Sequence, residues 1–290
     1  MDSRLVLGVF LLSACGAELG KGSVDGGENG GDSIGSDGSG SDGSQMLGAW
    51  GTPTLVPGAD SAIDEDDCTF NSKGTELIFK RNDAGDNNLY VMKRATITSA
   101  WGAPVAIGNL NSTVTEESPR LTPDDLTLYF GRNGDIYKAQ RNTVDDPWMA
   151  PNPVGALNTA DYEKWAAVCT NGYVIVSRAT AANGQDLFEG TITGGATTGL
   201  TQLNSPQAEQ GAMLTSDCLR LYFQSNRDGN FNIYTASRNN VNTQWTNPTA
   251  LPDFNTPTYS EEDAWISADQ RLFLYSSNKA GNKDVYVSTR

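Results

Sequence analysis

One glutamate recurs five times along the chain, each time four or five residues after a serine or threonine. The five are Glu65, Glu116, Glu163, Glu209 and Glu261. In a closed ring of repeats they would form a circle of carboxylates able to bind a cation or a cationic ligand. Alternatively, each would pair with the backbone or with an arginine of a neighbouring repeat. Because all five repeats share the feature, the structural role is favoured.

The chain has no histidine. This absence excludes Ser-His-Asp and Cys-His nucleophile systems and every His-ligated metal site. A glycoside hydrolase centre needs a few acids in unlike environments, one protonated and one ionised. Five equivalent glutamates do not provide that difference. We therefore expect no catalytic residues, no metal and no cofactor, and a protein that binds rather than catalyses.

Aromatic residues break the repeat near two of these glutamates. Trp165 and Trp265 occupy positions where the other copies have small, flexible or charged residues, and Tyr162 and Tyr259 are close to them in sequence. Beside a ring of carboxylates such side chains could stack on a sugar or on a partner's side chain. They could equally pack between repeats. The four aromatic residues and the five glutamates together form the candidate ligand rim.

These residues belong to a repeat of about 50 residues, a period typical of propeller blades. The residue that ends the central apolar run falls at Phe79, Phe130, Val176, Phe223 and Tyr275. Runs such as LTLYF and LRLYF read as short strands, and Asn133-Gly134 and Asp228-Gly229 read as hairpin turns between them. A sandwich would not repeat its sequence, and solenoid coils are shorter. The pattern predicts an all-β, five-bladed propeller of four-stranded blades over residues 46–290.

The ends of this region predict how the ring closes. The last copy stops after its third strand, whereas residues 50–56 carry the Trp-x-x-Pro segment that forms the fourth strand elsewhere. We therefore expect residues 50–56 to join the C-terminal blade, antiparallel to residues 284–289. This pairing would cover an otherwise exposed edge strand.

The repeat resembles that of the TolB-type β-propeller family, a relative of the WD repeats. Thr122-Pro123-Asp124-Asp125, Phe130, Arg132 and Asp135-Ile136-Tyr137 match its core in one copy. The resemblance extends over residues 65–290. It implies a propeller fold and says little about function, because propellers perform several functions.

The N-terminus resembles a bacterial lipoprotein signal. Residues 1–14 contain Arg4 and a short apolar run that ends in Leu-Ser-Ala before Cys15, as in a lipobox. The resemblance implies a cleaved signal peptide and a lipid on Cys15. Residues 15–45 continue as Gly, Ser and acids, which predicts a disordered tether reaching about 30 Å. Gly16 after the cysteine favours the outer membrane, because an Asp there retains enterobacterial lipoproteins at the inner membrane.

The formal charge of −15 argues against some partners. An acidic chain without a basic stripe is unsuited to nucleic acid, and it would contact a membrane only through the lipid anchor. The sequence therefore predicts an envelope-anchored lipoprotein whose propeller face binds another envelope protein. A propeller that binds or cleaves a glycan is the alternative.

Three cysteines remain if Cys15 carries a lipid. Cys169 and Cys218 fall near equivalent turns of adjacent blades, whereas Cys68 lies inside an inner strand. We expect a Cys169–Cys218 disulfide and a buried, free Cys68.

Overall fold

A computed structural model describes residues 47–83, 85–180 and 184–290 of the chain. These residues form twenty β-strands in five four-stranded antiparallel sheets, the blades of a propeller. Blade 1 contains β2 (Glu65–Phe70), β3 (Glu76–Asp83), β4 (Asp86–Lys93) and β5 (Val105–Ala106). Blade 2 contains β6 (Glu116–Leu121), β7 (Thr127–Arg132), β8 (Asp135–Gln140) and β9 (Asn152–Pro153). The five-bladed fold predicted from the repeat is confirmed.

The other three blades follow the same order from the inside outwards. Blade 3 contains β10 (Glu163–Val168), β11 (Tyr173–Thr180), β12 (Gly184–Thr191) and β13 (Gly195–Gly199). Blade 4 contains β14 (Glu209–Leu214), β15 (Arg220–Ser225), β16 (Asn232–Ser237) and β17 (Thr249–Ala250). Blade 5 contains β18 (Glu261–Ile266), β19 (Leu272–Ser277), β20 (Asp284–Thr289) and β1 (Thr54–Leu55).

The second strand of each blade is apolar on both faces because it is covered on both sides. In β3 the consecutive residues Leu77, Ile78 and Phe79 are all fully buried. Leu77 and Phe79 pack in a cluster with blade 5, and Ile78 packs in the next cluster with blade 2. Alternate side chains of one strand thus fill the interfaces with two neighbouring blades. This explains why the repeated runs are continuously apolar.

The ring closes as predicted. β1 pairs antiparallel with β20, with Thr54 opposite Val287. Gly51 N donates to Thr289 O at 2.8 Å. The Arg290 guanidinium lies over the Trp50 ring, 4.1 Å from its centroid. The first and last described segments therefore complete one blade.

The same arginine–tryptophan contact recurs in blades 1, 2 and 4. In these three blades and in blade 5, the guanidinium carbon lies 4.1–4.3 Å from the centroid of the tryptophan ring. Each arginine Nε also donates to a carbonyl in its blade's first turn, as Arg94 does to Gly74 O at 2.8 Å. The Trp-x-x-Pro segment is thus held to its blade by a cation–π contact, and its tryptophan has a structural role.

The inner strands start and end at opposite faces of the propeller. We call the face where they begin the Glu face, because each begins with one of the five glutamates. The opposite face is where they end, at Phe70, Leu121, Val168, Leu214 and Ile266. Candidate binding residues lie on both of these faces.

Cys169 and Cys218 form a disulfide between blades 3 and 4, with Cα atoms 5.6 Å apart, and Cys68 is free and buried. No helix within the described residues is long and apolar enough to cross a bilayer. Residues 1–14, Cys15 and the proposed tether lie outside the described residues.

Candidate functional site

The five repeated glutamates are fully buried. Glu116 shows the common geometry: it accepts hydrogen bonds from Ser112 N at 3.0 Å and from Ser112 Oγ, and an ion pair joins it to Arg132 Nε at 2.8 Å. Glu65, Glu163 and Glu209 repeat the contacts with Arg81, Arg178 and Arg227. Glu261 instead accepts from Thr256 and from Ser277 Oγ.

This geometry favours the structural interpretation of the glutamates. The arginine partner lies on the second strand of the same blade or, in the case of Arg227, just after it, and the hydroxyl partner lies in the loop that enters that blade. The expectation of pairing with an arginine of a neighbouring blade is therefore wrong. The glutamate fixes the entering loop to its own blade, and its burial leaves no carboxylate edge for a ligand.

A second set of charged residues, which sequence reasoning missed, follows the glutamates directly. Blade 1 has Asp66 and Asp67, blade 2 has Glu117, blade 3 has Lys164, and blade 5 has Glu262 and Asp263. Blade 4 has Gln210 and Gly211 at these positions. The sequence did contain a signal for this set: the residues that follow the repeated glutamate differ in charge from blade to blade. These side chains, with Lys80 and Lys283, form what we call the channel network.

A bulge in the inner strands joins the network across blades. Asp67, Ser118 and Asp263 occupy the left-handed region, with φ of 51°, 58° and 59°. Asp67 N donates to Asp263 Oδ2 at 3.1 Å, and Ser118 N donates to Asp67 Oδ2 at 3.2 Å. Asp263 N donates to Gln224 Oε1 at 2.7 Å. A β-bulge turns a backbone N–H away from the hydrogen bonds between the strands of its own sheet. Here that N–H donates instead to a side-chain oxygen of the preceding blade.

Three lysines neutralise most of the carboxylates. Lys80 Nζ lies 2.6 Å from Asp66 Oδ1, and Lys283 Nζ lies 3.3 Å from Asp66 Oδ2. Lys283 also pairs with Glu262 at 3.0 Å. On the other side, Lys164 pairs with Glu117 at 3.2 Å. The network thus links acids of blades 1, 2 and 5 with lysines of blades 1, 3 and 5.

Three of the carboxyl groups are close enough to hold a metal ion. One oxygen each from Asp66, Asp67 and Asp263 lies within 4.8 Å of the others. However, the ammonium group of Lys80 already contacts both Asp66 and Asp67, at 2.6 and 3.7 Å. A second positive charge there would be repelled. We therefore interpret the cluster as an ion-pair network.

The environment separates the protonation states of two facing aspartates. Burial, followed by the charges of Asp67 and Asp66, raises the pKa of Asp263 to about 8. Burial also opposes ionisation of Asp67, but Lys164, Lys80 and Lys283 outweigh it and lower the pKa of that carboxyl below its usual range. At neutral pH one carboxyl is therefore protonated and its neighbour ionised. Such a pair can share a proton, as acid and base partners do.

The aromatic rim residues have different environments. Trp165 is fully buried, and Lys164 Nζ lies 4.1 Å from its ring centroid. Tyr162 and Tyr259 are exposed on the Glu face, each by 40%. The Tyr162 hydroxyl donates to Glu117, so Tyr162 borders the channel network. The structure thus brings one of the two tyrosines to the acids and removes Trp165 from the surface.

Trp265 faces the other end of the channel. Its ring packs edge-on against Phe70 of blade 1, with centroids 5.4 Å apart, and it is 7% exposed. It also lines a cavity of about 290 Å³ on the opposite face. Trp265 therefore packs between blades and borders a surface cavity, rather than lying beside the carboxylates.

This cavity lies at the centre of the opposite face, because the last residue of every inner strand lines it. Met213, Trp265 and Pro123 add apolar surface, and hydroxyl groups of the turns surround the opening. Sequence reasoning missed the cavity, although the apolar residue that ends each inner strand was visible in the repeat.

No protein-family model matches the sequence. No curated protein matches it either. The fold, by contrast, is shared with solved structures. An α-L-arabinofuranosidase from Podospora anserina superposes with a TM-score of 0.56 at 12% identity, covering 84% of this chain and 96% of that one. A putative TolB from Agrobacterium tumefaciens superposes with a TM-score of 0.51 at 13% identity, covering 79% and 77%. The chain is thus similar in fold to both.

These similarities support the TolB-like propeller inferred from the repeat. They also correct the expectation about catalysis. A second arabinofuranosidase, from Coprinopsis cinerea, has the same fold with a TM-score of 0.54 at 12% identity. The expectation that this propeller only binds is thus contradicted at the level of the fold: solved glycoside hydrolases share it, so the fold gives no ground for excluding catalysis.

Proposed function

We propose that the protein is an envelope-anchored binding module that recognises another protein through the cavity on its opposite face. The observation that carries the proposal is the cavity of about 290 Å³ at the channel mouth. Its walls come from all five blades, so they are held by the rigid ring and are formed before a ligand arrives. Preformed concave sites with apolar walls and a few polar groups are the usual form of a binding site.

The residues at this cavity suit a protein partner. Trp265, Phe70 and Met213 line the apolar part of the cavity, and residue types of this kind are common at the centres of protein interfaces. Around them, Ser72, Ser216 and other turn residues form a polar border. An apolar side chain inserted from a partner would lose water contact here, which favours binding by about 25 cal/mol per Å² of apolar surface.

The proposed anchor places this module in the cell envelope. A lipid on Cys15 would hold the chain at the outer membrane, and residues 16–45 would act as the tether. A partner within about 30 Å of that membrane could then be reached. The expected partner is therefore another envelope protein.

Site-specific photo-crosslinking in the native envelope tests the proposal. Benzoylphenylalanine at Ser216, on the cavity border, should give a defined crosslinked protein that mass spectrometry can identify. The same group at the exposed Asp161, on the Glu face, is the control and should not give it. Crosslinks of equal yield from both positions would contradict the proposed site.

Trp265→Ala should then weaken binding of that partner more than it weakens folding. Trp245→Ala is the matched control, because Trp245 stacks on Arg238 and does not line the cavity. The control should lower the unfolding temperature and leave the affinity of the folded protein unchanged. If Trp265→Ala unfolds the domain, or if both variants bind alike, Trp265 is only a packing residue.

A second candidate function is cleavage or binding of a glycan on the Glu face. It is favoured by the unlike protonation states of Asp263 and Asp67 and by the exposed tyrosines nearby. Release of reducing sugar from arabinoxylan, by wild type and by Asp263→Asn and Asp67→Asn, tests it. Activity that both variants lose would support this candidate, and release that neither variant changes would contradict it.

A further inference from the structure

The cavity on the opposite face is the middle of a longer groove. Towards blade 3 it shares Pro123 and Val168 with a hollow of about 270 Å³. In the other direction it shares Ser267 and Ala268 with a hollow of about 520 Å³ between blades 5 and 1. The three hollows therefore form one depression across the face. A depression of this shape suits an extended chain better than a single compact ligand.

The centre of this groove is acidic. Asp125 and Asp217 line the cavity, and no lysine or arginine is among its lining residues within the described chain. Asp217 is exposed, and its Oδ1 accepts hydrogen bonds from Thr215 Oγ1 at 2.6 Å and Leu219 N at 3.0 Å. The turn therefore holds this carboxylate in a fixed position.

Asp124 has the same geometry in blade 2. Its Oδ1 accepts from Thr122 Oγ1 at 2.6 Å and from Leu126 N at 3.0 Å, and its side chain is exposed in the adjoining hollow. Two fixed, exposed carboxylates thus lie on different blades beside the apolar cavity. The positive charges lie farther along the groove, at Lys138 in that hollow and at Lys73, Arg271 and Arg290 in the other. An apolar centre beside negative charges is complementary to an apolar residue next to a positive one.

We propose that the groove binds an extended segment of a partner protein in which an apolar side chain enters the cavity and adjacent Lys or Arg side chains pair with Asp217 and Asp124. This inference rests on the proposed function and specifies its ligand. The apolar anchor provides most of the affinity, and the carboxylates select segments by charge. Charge pairs at the border of a site act mainly on selectivity and on the association rate.

Selection from a phage library of random 12-residue peptides on the immobilised full chain tests the inference. Selected peptides should share a large apolar residue with Lys or Arg within two positions. Their affinity should fall at least tenfold when sodium chloride is raised from 50 to 500 mM, because salt screens exposed charge pairs. A peptide with Glu in place of the basic residues should not bind detectably.

Variants of the protein separate the anchor from the charges. Asp217→Lys should weaken the selected peptides about tenfold and Asp217→Asn about threefold, in line with exposed pairs of modest strength. The exposed Asp161 on the Glu face provides the control, and Asp161→Lys should leave affinity unchanged. Trp265→Ala should reduce binding of every peptide, whatever its charge.

The outcomes distinguish the two proposals. Peptides that need Trp265 but show no basic preference, or an acidic one, overturn the charge inference and leave the proposed function intact. Peptides whose binding is unaffected by Trp265→Ala overturn both. Unfolding temperatures of the Asp217 variants within a few degrees of wild type ensure that a loss of affinity reports on the site.

Discussion

Replacing Asp263 by Asn should remove much of the pH dependence of stability between pH 5 and 8. Asp263 is fully buried, and its Oδ2 accepts hydrogen bonds from Asp67 N at 3.1 Å and Ser276 Oγ at 2.6 Å. Burial and the charges of Asp67 and Asp66 raise its pKa to about 8, from 3.8 in an unfolded chain. Asparagine has the same shape and, like the protonated acid, carries no charge.

The sign of the effect follows from proton linkage. Because the folded pKa is raised, the folded state holds one proton more than the unfolded state between about pH 4 and 8. Stability from this group is complete below pH 4 and is lost as the pH rises through 8. Within the window the free energy of unfolding should fall by about 1.4 kcal/mol per pH unit. Between pH 5 and 7 wild type should therefore lose about 2–3 kcal/mol relative to Asp263→Asn.

Neighbouring groups titrate outside this window or are common to both proteins. Because folding lowers the pKa of Asp67, this carboxylate contributes stability at pH values above its unfolded pKa. That contribution is lost as the pH falls below about 4. Burial raises the pKa of the Cys68 thiol, and nearby acids raise those of Lys80 and Lys283 despite their burial, so these groups act above pH 9. Burial raises the pKa of Glu262, but this residue is present in both proteins. The difference between the two stability curves therefore reports Asp263.

Urea unfolding at half-unit steps from pH 5 to 9, at constant ionic strength, measures both curves. Asp161→Asn removes an exposed carboxylate and should run parallel to wild type. Parallel curves for wild type and Asp263→Asn between pH 5 and 7 would refute the assignment of a protonated Asp263. A variant that is less stable at every pH by a constant amount would show that the carboxyl is ionised when folded.

Three further predictions concern the ring and its anchor. Replacing Cys169 and Cys218 with Ser should lower the free energy of unfolding by about 4 kcal/mol in the chain-entropy relation for a loop of 49 residues, measured by urea unfolding; an unchanged midpoint would contradict it. Deleting residues 46–58 should lower the unfolding temperature and promote aggregation, because the outer edge of β20 loses its partner β1, whereas deleting residues 16–44 should leave the unfolding temperature unchanged; equal effects would refute the closure. Intact-mass measurement of the native protein should show a diacylated Cys15 as the first residue, and an unmodified cysteine or a retained Met1 would contradict the lipoprotein prediction.

The sequence by itself determined the blades, because the information lies in local, repeated patterns. Runs such as Leu77–Phe79 recur with the same flanking turns, so the strand count and period could be read directly. The missing fourth strand at one end and the spare segment at the other predicted the pairing of β1 with β20. The disulfide was predicted because Cys169 and Cys218 fall close to the equivalent turns of adjacent repeats. The fold class and the ring closure could therefore be predicted without knowing which distant residues come into contact.

Only the tertiary structure decided which side chains meet at the axis. Asp67 and Asp263 are 196 residues apart in sequence, and their contact depends on bulges that turn each backbone N–H towards the preceding blade. Local patterns do not encode such bulges, and a shift of one residue moves a side chain to the other face. For the same reason the sequence placed Trp265 beside the carboxylates, whereas the structure places it at the opposite end of the channel. The repeat specifies each blade, but the inner strands converge only when the ring closes, and that convergence creates both the channel network and the cavity.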